Sequence, residues 1–209
     1  MNVLPYTLAV VGALTLSGAV VGGCGSSPQS APSGGGAAPP SASSGSRPGP
    51  VPTESNPPGD IPDNTQFVAY RAHGYQVKVP EGWARSDLPT GASLTDKLNT
   101  IRVEVVPART APTIASTRAT EVPALQSTTA KFALRGVEMI SRGGGQAVRI
   151  VYDADSPADP VTGKVVRDRF ERYEFYRAGH EAVLTLGGPV GADNVDPWHT
   201  VSDSFRWLP

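Results

Sequence analysis

"YQVKVPEGW", residues 75–83, decides how the rest of this chain is read. Along an extended backbone Tyr75, Val77 and Val79 fall on one side, and Gln76 and Lys78 fall on the other. That period of two marks a half-buried strand. The pattern recurs three times downstream. "IRVEV" (101–105) turns Ile101, Val103 and Val105 inward, "QAVRIVY" (146–152) aligns Val148, Ile150 and Tyr152, and "AVLTL" (182–186) aligns Ala182, Leu184 and Leu186. Short glycine-containing links join such runs in pairs. "RGGGQ" (142–146) connects "GVEMIS" to "QAVRIVY", and "RAGHE" (177–181) connects "RYEFY" to "AVLTL". Ala72-His73-Gly74 separates "FVAYR" from "YQVKV". Links this short make hairpins, so the sheet is predicted to be antiparallel.

Two helices are predicted to cover it. One lies within "TIASTRATEVPALQSTTAK" (113–131), with Val122, Leu125 and Thr129 on one face. Pro123 either bends this helix or stands in its first turn, the helix then starting near Thr120. The other follows "GADNVDPW" (191–198), where Asp196 is a suitable N-cap and Pro197 a suitable first helical residue. Trp198, Val201 and Phe205 then form an apolar stripe. The expected class is α+β, an antiparallel β-sheet built from hairpins and covered by helices.

The N-terminal third is built differently. Residues 1–46 carry no charged side chain, and "LAVVGALTLSGAVVGG" (8–23) is an apolar run of the kind found in export signals. It ends at Val21-Gly22-Gly23-Cys24, which resembles the lipobox of bacterial lipoproteins, although "MNVLPYT" at the start lacks the usual Lys or Arg. Cys24 is the single cysteine, so no internal disulfide can form. A free exported thiol and a stray residue in a signal anchor are the other readings of Cys24. A reactive thiol needs a structured electropositive setting, which this flank does not offer. The expectation is therefore a lipidated Cys24, a signal peptide over 1–23 and a stable multi-acyl tether to the membrane. Residues 25–64 follow, with 26 of 40 positions occupied by proline, serine or glycine and no aromatic side chain. Such a composition cannot offset the entropy of ordering. Residues 24–65 are read as the lipidated cysteine plus a Pro/Ser/Gly-rich tether spanning roughly 30–40 Å, and 66–209 as the globular domain.

The residues also carry a resemblance. "YQVKVPEGW" resembles the opening hairpin of PsbP-like domains. Taken with the lipobox, the tether and the ending "SDSFRW" (202–207), it is similar to the mycobacterial and actinobacterial lipoproteins of the LpqN/LpqT type. "YDADSPADPVTGK" (152–164), "RYEFY" and "GADNVDPWHTVSDSFRW" (191–207) are similar to further actinobacterial sequences, so the resemblance covers most of 66–208. It implies a PsbP-like α/β sandwich and a binding or accessory role at a membrane surface. It supplies no catalytic motif to carry over.

The candidate chemistry is sparse. A net charge of −1 gives no reason to expect a nucleic-acid partner. Asp153, Asp155 and Asp159 in "DADSPADPVTGK" could offer oxygens to calcium. Ala158 and Lys164 stand where an EF-hand needs glycine and glutamate, so a polar crossing between hairpins is the better reading. Asp193, Asn194, Asp196 and His199 gather in "GADNVDPWH", and Asp196 could meet His199 across one helical turn. Helix capping accounts for the aspartates without acid–base work. Trp83, Trp198 and Trp207, with Tyr173 and Phe175, read as core more readily than as a pocket, Trp207 being the most exposed of the tryptophans. No G-x-S-x-G, H-E-x-x-H or P-loop occurs. No catalytic, cofactor-binding or metal residue is assigned, and Cys24 is the one modification site. The expected role is a non-catalytic module at the outer face of the plasma membrane, binding an envelope protein or an apolar ligand. A tethered hydrolase with a site assembled from loops is the alternative.

Overall fold

The computed structural model describes residues 57–72 and 74–209. Cys24, the signal segment, most of the tether and His73 lie outside the described residues. Among the described residues ten strands form two antiparallel sheets. The smaller has the order β1 (Phe67–Ala72), β2 (Tyr75–Pro80), β10 (Arg206–Trp207). The larger has the order β3 (Ala84–Leu88), β4 (Gly91–Asp96), β5 (Asn99–Pro107), β9 (His180–Pro189), β8 (Arg167–Arg177), β7 (Gly145–Asp155), β6 (Ala133–Arg142). The α+β class and the hairpin construction are as the alternation predicts. The turns at 143–144 and 178–179 join β6 to β7 and β8 to β9.

The same alternation distributes the core over both faces of the large sheet. Ile101, Val103, Tyr173, Phe175, Leu184 and Leu186 face the small sheet and α3 (Val195–Ser204). There they meet Tyr75, Val77, Trp198, Val201 and Phe205. Val148, Ile150, Tyr152 and Ala154 face the opposite way, against Val122, Leu125, Phe132 and Phe170. Tyr173, Phe175 and Trp198 are thus core, as expected. Trp207, expected to be the most exposed of the tryptophans, is half-buried, as is Trp83, while Trp198 is buried. Trp207 pairs with Tyr75 as part of β10, and its ring meets Phe205 edge-on at 5.4 Å.

Pro123 is accommodated by a change of pitch. The helix begins at Ile114, within the predicted stretch and ahead of the alternative start near Thr120, under a capping box in which Thr113 and Ser116 satisfy each other's backbone N–H groups. α1 (Ile114–Ser116) runs into a π-helical turn (Thr117–Glu121) and on into α2 (Val122–Thr128). In a regular helix the proline ring would collide with the carbonyl four residues back and leave it unbonded. Widening the preceding turn, so that Val122 N–H bonds to the carbonyl of Thr117, gives the ring its room. Thr129, expected on the inner face of this helix, is instead its extended C-cap residue.

The second helix also starts differently. Asn194, not Asp196, is its N-cap residue, and Asp196 stands in the first turn, where its charge complements the helix dipole. The Asn194 side chain is used elsewhere. Its Nδ2 donates to Gly59 O (2.9 Å) and Asn99 Oδ1 (3.1 Å), and its Oδ1 accepts from Ile61 N (2.9 Å). Asn99 Nδ2 also donates to Gly59 O (2.9 Å). The asparagines can meet only because residue 188 is glycine, since a Cβ there would lie 2.4 Å from Asn99 Oδ1. Ile61 is buried in the core through this clasp, so the packed chain reaches upstream of the expected start at Gln66. Asn194→Ala would strip Ile61 N–H and Asn99 Oδ1 of partners in the interior. Urea unfolding should show a loss of about 2–4 kcal/mol, and limited proteolysis should show faster cleavage within residues 57–64.

Candidate functional site

The face of the large sheet that carries the 114–128 helix holds a buried polar cluster and an open cleft. Even-numbered positions of β8 point there: Asp168, Phe170, Arg172 and Glu174. Under the π-helical turn, Thr117 Oγ1 donates to Glu174 Oε2 at 2.9 Å. Arg172 spans Glu121 at 2.6 Å and Glu174 at 3.5 Å. Glu174 is 2% exposed. Burial pushes its carboxyl up to about 7, against the opposing pull of Thr117 and Arg172. Burial also raises the nearby Glu181.

Beyond the last turn of α2 the cover ends and a cleft of about 610 Å³ opens. Its floor is aromatic. The Tyr152 and Phe170 rings stack at 5.0 Å, and Phe132 extends the row at 5.1 Å from Tyr152. Phe170 lies flat on the β9 backbone at Gly187, where a Cβ would come within 2.5 Å of the ring. Asp168 lines the cleft, 8% exposed, with Oδ1 shut off from solvent and accepting no hydrogen bond from any described residue. Burial first, and the charge of Asp155 second, push this carboxyl up to about 6. Lys97 and Lys164 stand exposed at the rim.

The sequence-level candidates fare differently. The three aspartates of the calcium reading are already satisfied. Asp153 takes Arg169 and Arg135, each through Nε at 2.8 Å, and these hold its carboxyl below the usual range. Asp155 is held down by Lys131 at 2.9 Å and by Arg167 at 3.1 Å. Asp159 accepts from Thr162 and from Val161 N in a tight turn, which lowers it too. Among the described residues no group of three potential ligands is placed to hold a metal ion. No hydrogen bond or ion pair joins Asp196 to His199 among the described residues. Asp193 N donates to Asp60 Oδ1, which anchors the clasp. Asp168, Phe170 and Glu174 were not singled out by sequence. The available signal was the second parity of "DRFERYEF" (168–175), which sets one aromatic and three charged residues on the face opposite Tyr173 and Phe175.

No family model and no curated protein matches the chain. Solved structures do. CyanoP, the cyanobacterial PsbP of Synechocystis sp. PCC 6803, is 14% identical over 73% of this chain and 100% of its own, with a TM-score of 0.51. The Ran-binding protein Mog1p of Saccharomyces cerevisiae is 10% identical over 69% of this chain and 96% of its own, TM-score 0.46. LpqN of Mycobacterium tuberculosis, involved in cell envelope biogenesis, is 14% identical over 70% and 93%, TM-score 0.45. The described domain has the PsbP-like fold, and at such identities the likeness speaks to fold alone.

Glu174 makes stability depend on pH. Its folded value of about 7 lies above the ordinary 4.5, so the folded state pays for ionisation that the unfolded chain undergoes freely. Stability should fall as pH rises from about 4.5 to about 7, by at most about 3 kcal/mol. Thr117, Glu121, Arg172 and Glu181 are the groups that face it. Glu174→Gln should match the parent near pH 4.5 and exceed it at pH 8 when denaturant midpoints are compared. Identical pH slopes for the two proteins would refute the assignment.

Proposed function

We propose that this chain is a lipid-anchored binding module of the cell envelope. In this reading residues 1–23 are removed on export, an acylated Cys24 holds the protein at the outer face of the plasma membrane, and the Pro/Ser/Gly-rich segment is a spacer. The domain is non-catalytic and takes a small, partly apolar ligand. One observation carries the binding role: the open cleft of about 610 Å³ floored by Tyr152 and Phe170. Ligand sites are concave and combine apolar surface with placed polar groups, and this cleft sets an aromatic floor within a rim of polar side chains. The lipobox-like sequence before Cys24 supports the anchor. Among the described residues no helix is long and apolar enough to cross a membrane.

A hydrolase is the second reading, and Asp168 is the observation in its favour. A buried carboxyl that keeps its proton toward neutral pH is what a general acid requires. Turnover of an ester, glycoside or phosphate substrate by the full chain, abolished in Asp168→Asn, would replace the binding role.

The anchor is tested through Cys24. The parent protein should incorporate an alkyne-tagged palmitate in a bacterial host and sediment with membranes. Cys24→Ser should lose the label and the processing step. A variant that is still acylated and trimmed would overturn the anchor.

A further inference from the structure

Asp168 differs from the other buried acids of this domain. Asp153 is closed between two arginines, and Glu174 has a hydroxyl donor and a guanidinium beside it. Asp168 is the second residue of β8, paired with Ala154 and Pro189, neither of which brings a polar side chain. Its chain neighbours Arg167 and Arg169 are engaged by Asp155 and Asp153. Lys131 also goes to Asp155, and Arg135 goes to Asp153. Oδ1 is therefore sealed from solvent without a donor, which costs about 1–3 kcal/mol and more when charged, and the carboxyl group lines the cleft with no cation of the described residues paired to it.

We propose that the cleft binds a small molecule carrying a protonated amine on an apolar body, with the ammonium held by Asp168 and the body laid on Phe170 and Tyr152. The inference rests on the reading of the cleft as a ligand site and names the chemistry that site selects. An ammonium in the cleft brings the compensating charge that the Asp168 carboxylate lacks, with N–H donors for the part of the carboxyl group that lines the cleft. A neutral hydroxyl would supply a donor but no charge. A bare metal ion would need several oxygens, and Asp155 and Asp159 are committed elsewhere. An anion could be drawn to Lys97 and Lys164 only at the exposed rim, where salt screens the attraction. The volume suits a ligand of this kind, since small-molecule sites run from about 300 to 1,000 Å³.

The test uses the full chain and three probes of one shape: phenethylammonium, the uncharged 2-phenylethanol and the anionic 3-phenylpropionate. Calorimetry or chemical-shift titration at pH 7.5 should show the ammonium binding at least about tenfold tighter than the alcohol, with the anion weakest. Asp168→Asn should bring the ammonium down to the level of the alcohol and leave alcohol binding unchanged. The unmodified protein supplies an independent reading. Its preference for the ammonium should fade as pH drops from 7.5 to 5, because Asp168 takes up a proton near 6. Asp155 and Asp159, held low by their partners, stay ionised over that window, and burial keeps Tyr152 neutral. Binding of all three probes without charge preference would overturn the inference and leave the cleft a ligand site. Binding of none would overturn both, and a preference that survives Asp168→Asn or is flat with pH would overturn the role of Asp168.

Discussion

A seven-stranded sheet has two faces to shield from water, and this chain covers them unequally. One face receives a second sheet and α3, which bury Phe175 and Phe205, stacked at 4.6 Å, and only its far end is left to ion pairs such as Arg169 with Asp153 and Arg149 with Glu138. The other receives only residues 114–128. At about 1.5 Å per residue that helix is roughly 22 Å long, whereas seven strands at about 4.8 Å spacing span roughly 29 Å. The uncovered remainder must be made tolerable in water. Toward the π-helical turn it is finished with paired charges, Arg172 with Glu121 and Glu174, and Arg102 with Glu104. Toward the far end of α2 it is finished with the rings of Phe132, Tyr152 and Phe170, and there the cleft remains. Cleft and ion-pair network are two outcomes of one shortage of cover.

Charged side chains inside a sheet are costly, and the domain resolves each in its own way. Asp153 is answered by two guanidinium groups, which keep it ionised. Glu174 is answered by a hydroxyl and a shared arginine, which hold it in place but do not offset its burial. The π-helical turn is tied to this pairing, because it carries both Thr117 and Glu121 onto the β8 side chains. Wide helical turns of this kind recur at functional positions. Here Pro123 supplies the local cause and the acids of β8 the tertiary one.

The strands whose side chains alternate cleanly were legible in sequence: β2, β5, β7 and β9, along with the hairpins that join β1 to β2, β6 to β7 and β8 to β9. The hairpin of β3 and β4 was not. "ARSDL" lies at the sheet edge with four exposed residues, so it carries no burial pattern to read. β10 has two residues and owes its existence to the register of Tyr75 and Gln76. Capping chemistry pointed to Asp196, but tertiary contact claimed Asn194, which serves three partners that lie far away in sequence. Phe170 and Asp168 were hidden for a related reason. Both sit on a strand buried on two sides, where periodicity does not say which face a helix covers and which it leaves open. What could be read was the architecture; the cleft depends on where that cover stops.

The asparagine clasp has a mechanical consequence. Gly59 and Ile61 are fastened to Asn99 and Asn194 in the body of the domain, ahead of the first strand. β1 is an edge strand, and a tug on its leading end would otherwise peel it from β2 one hydrogen bond at a time. With the clasp upstream, traction arriving from the N-terminal side meets several short bonds that must rupture together. The hairpin behind them feels no strain until they give way.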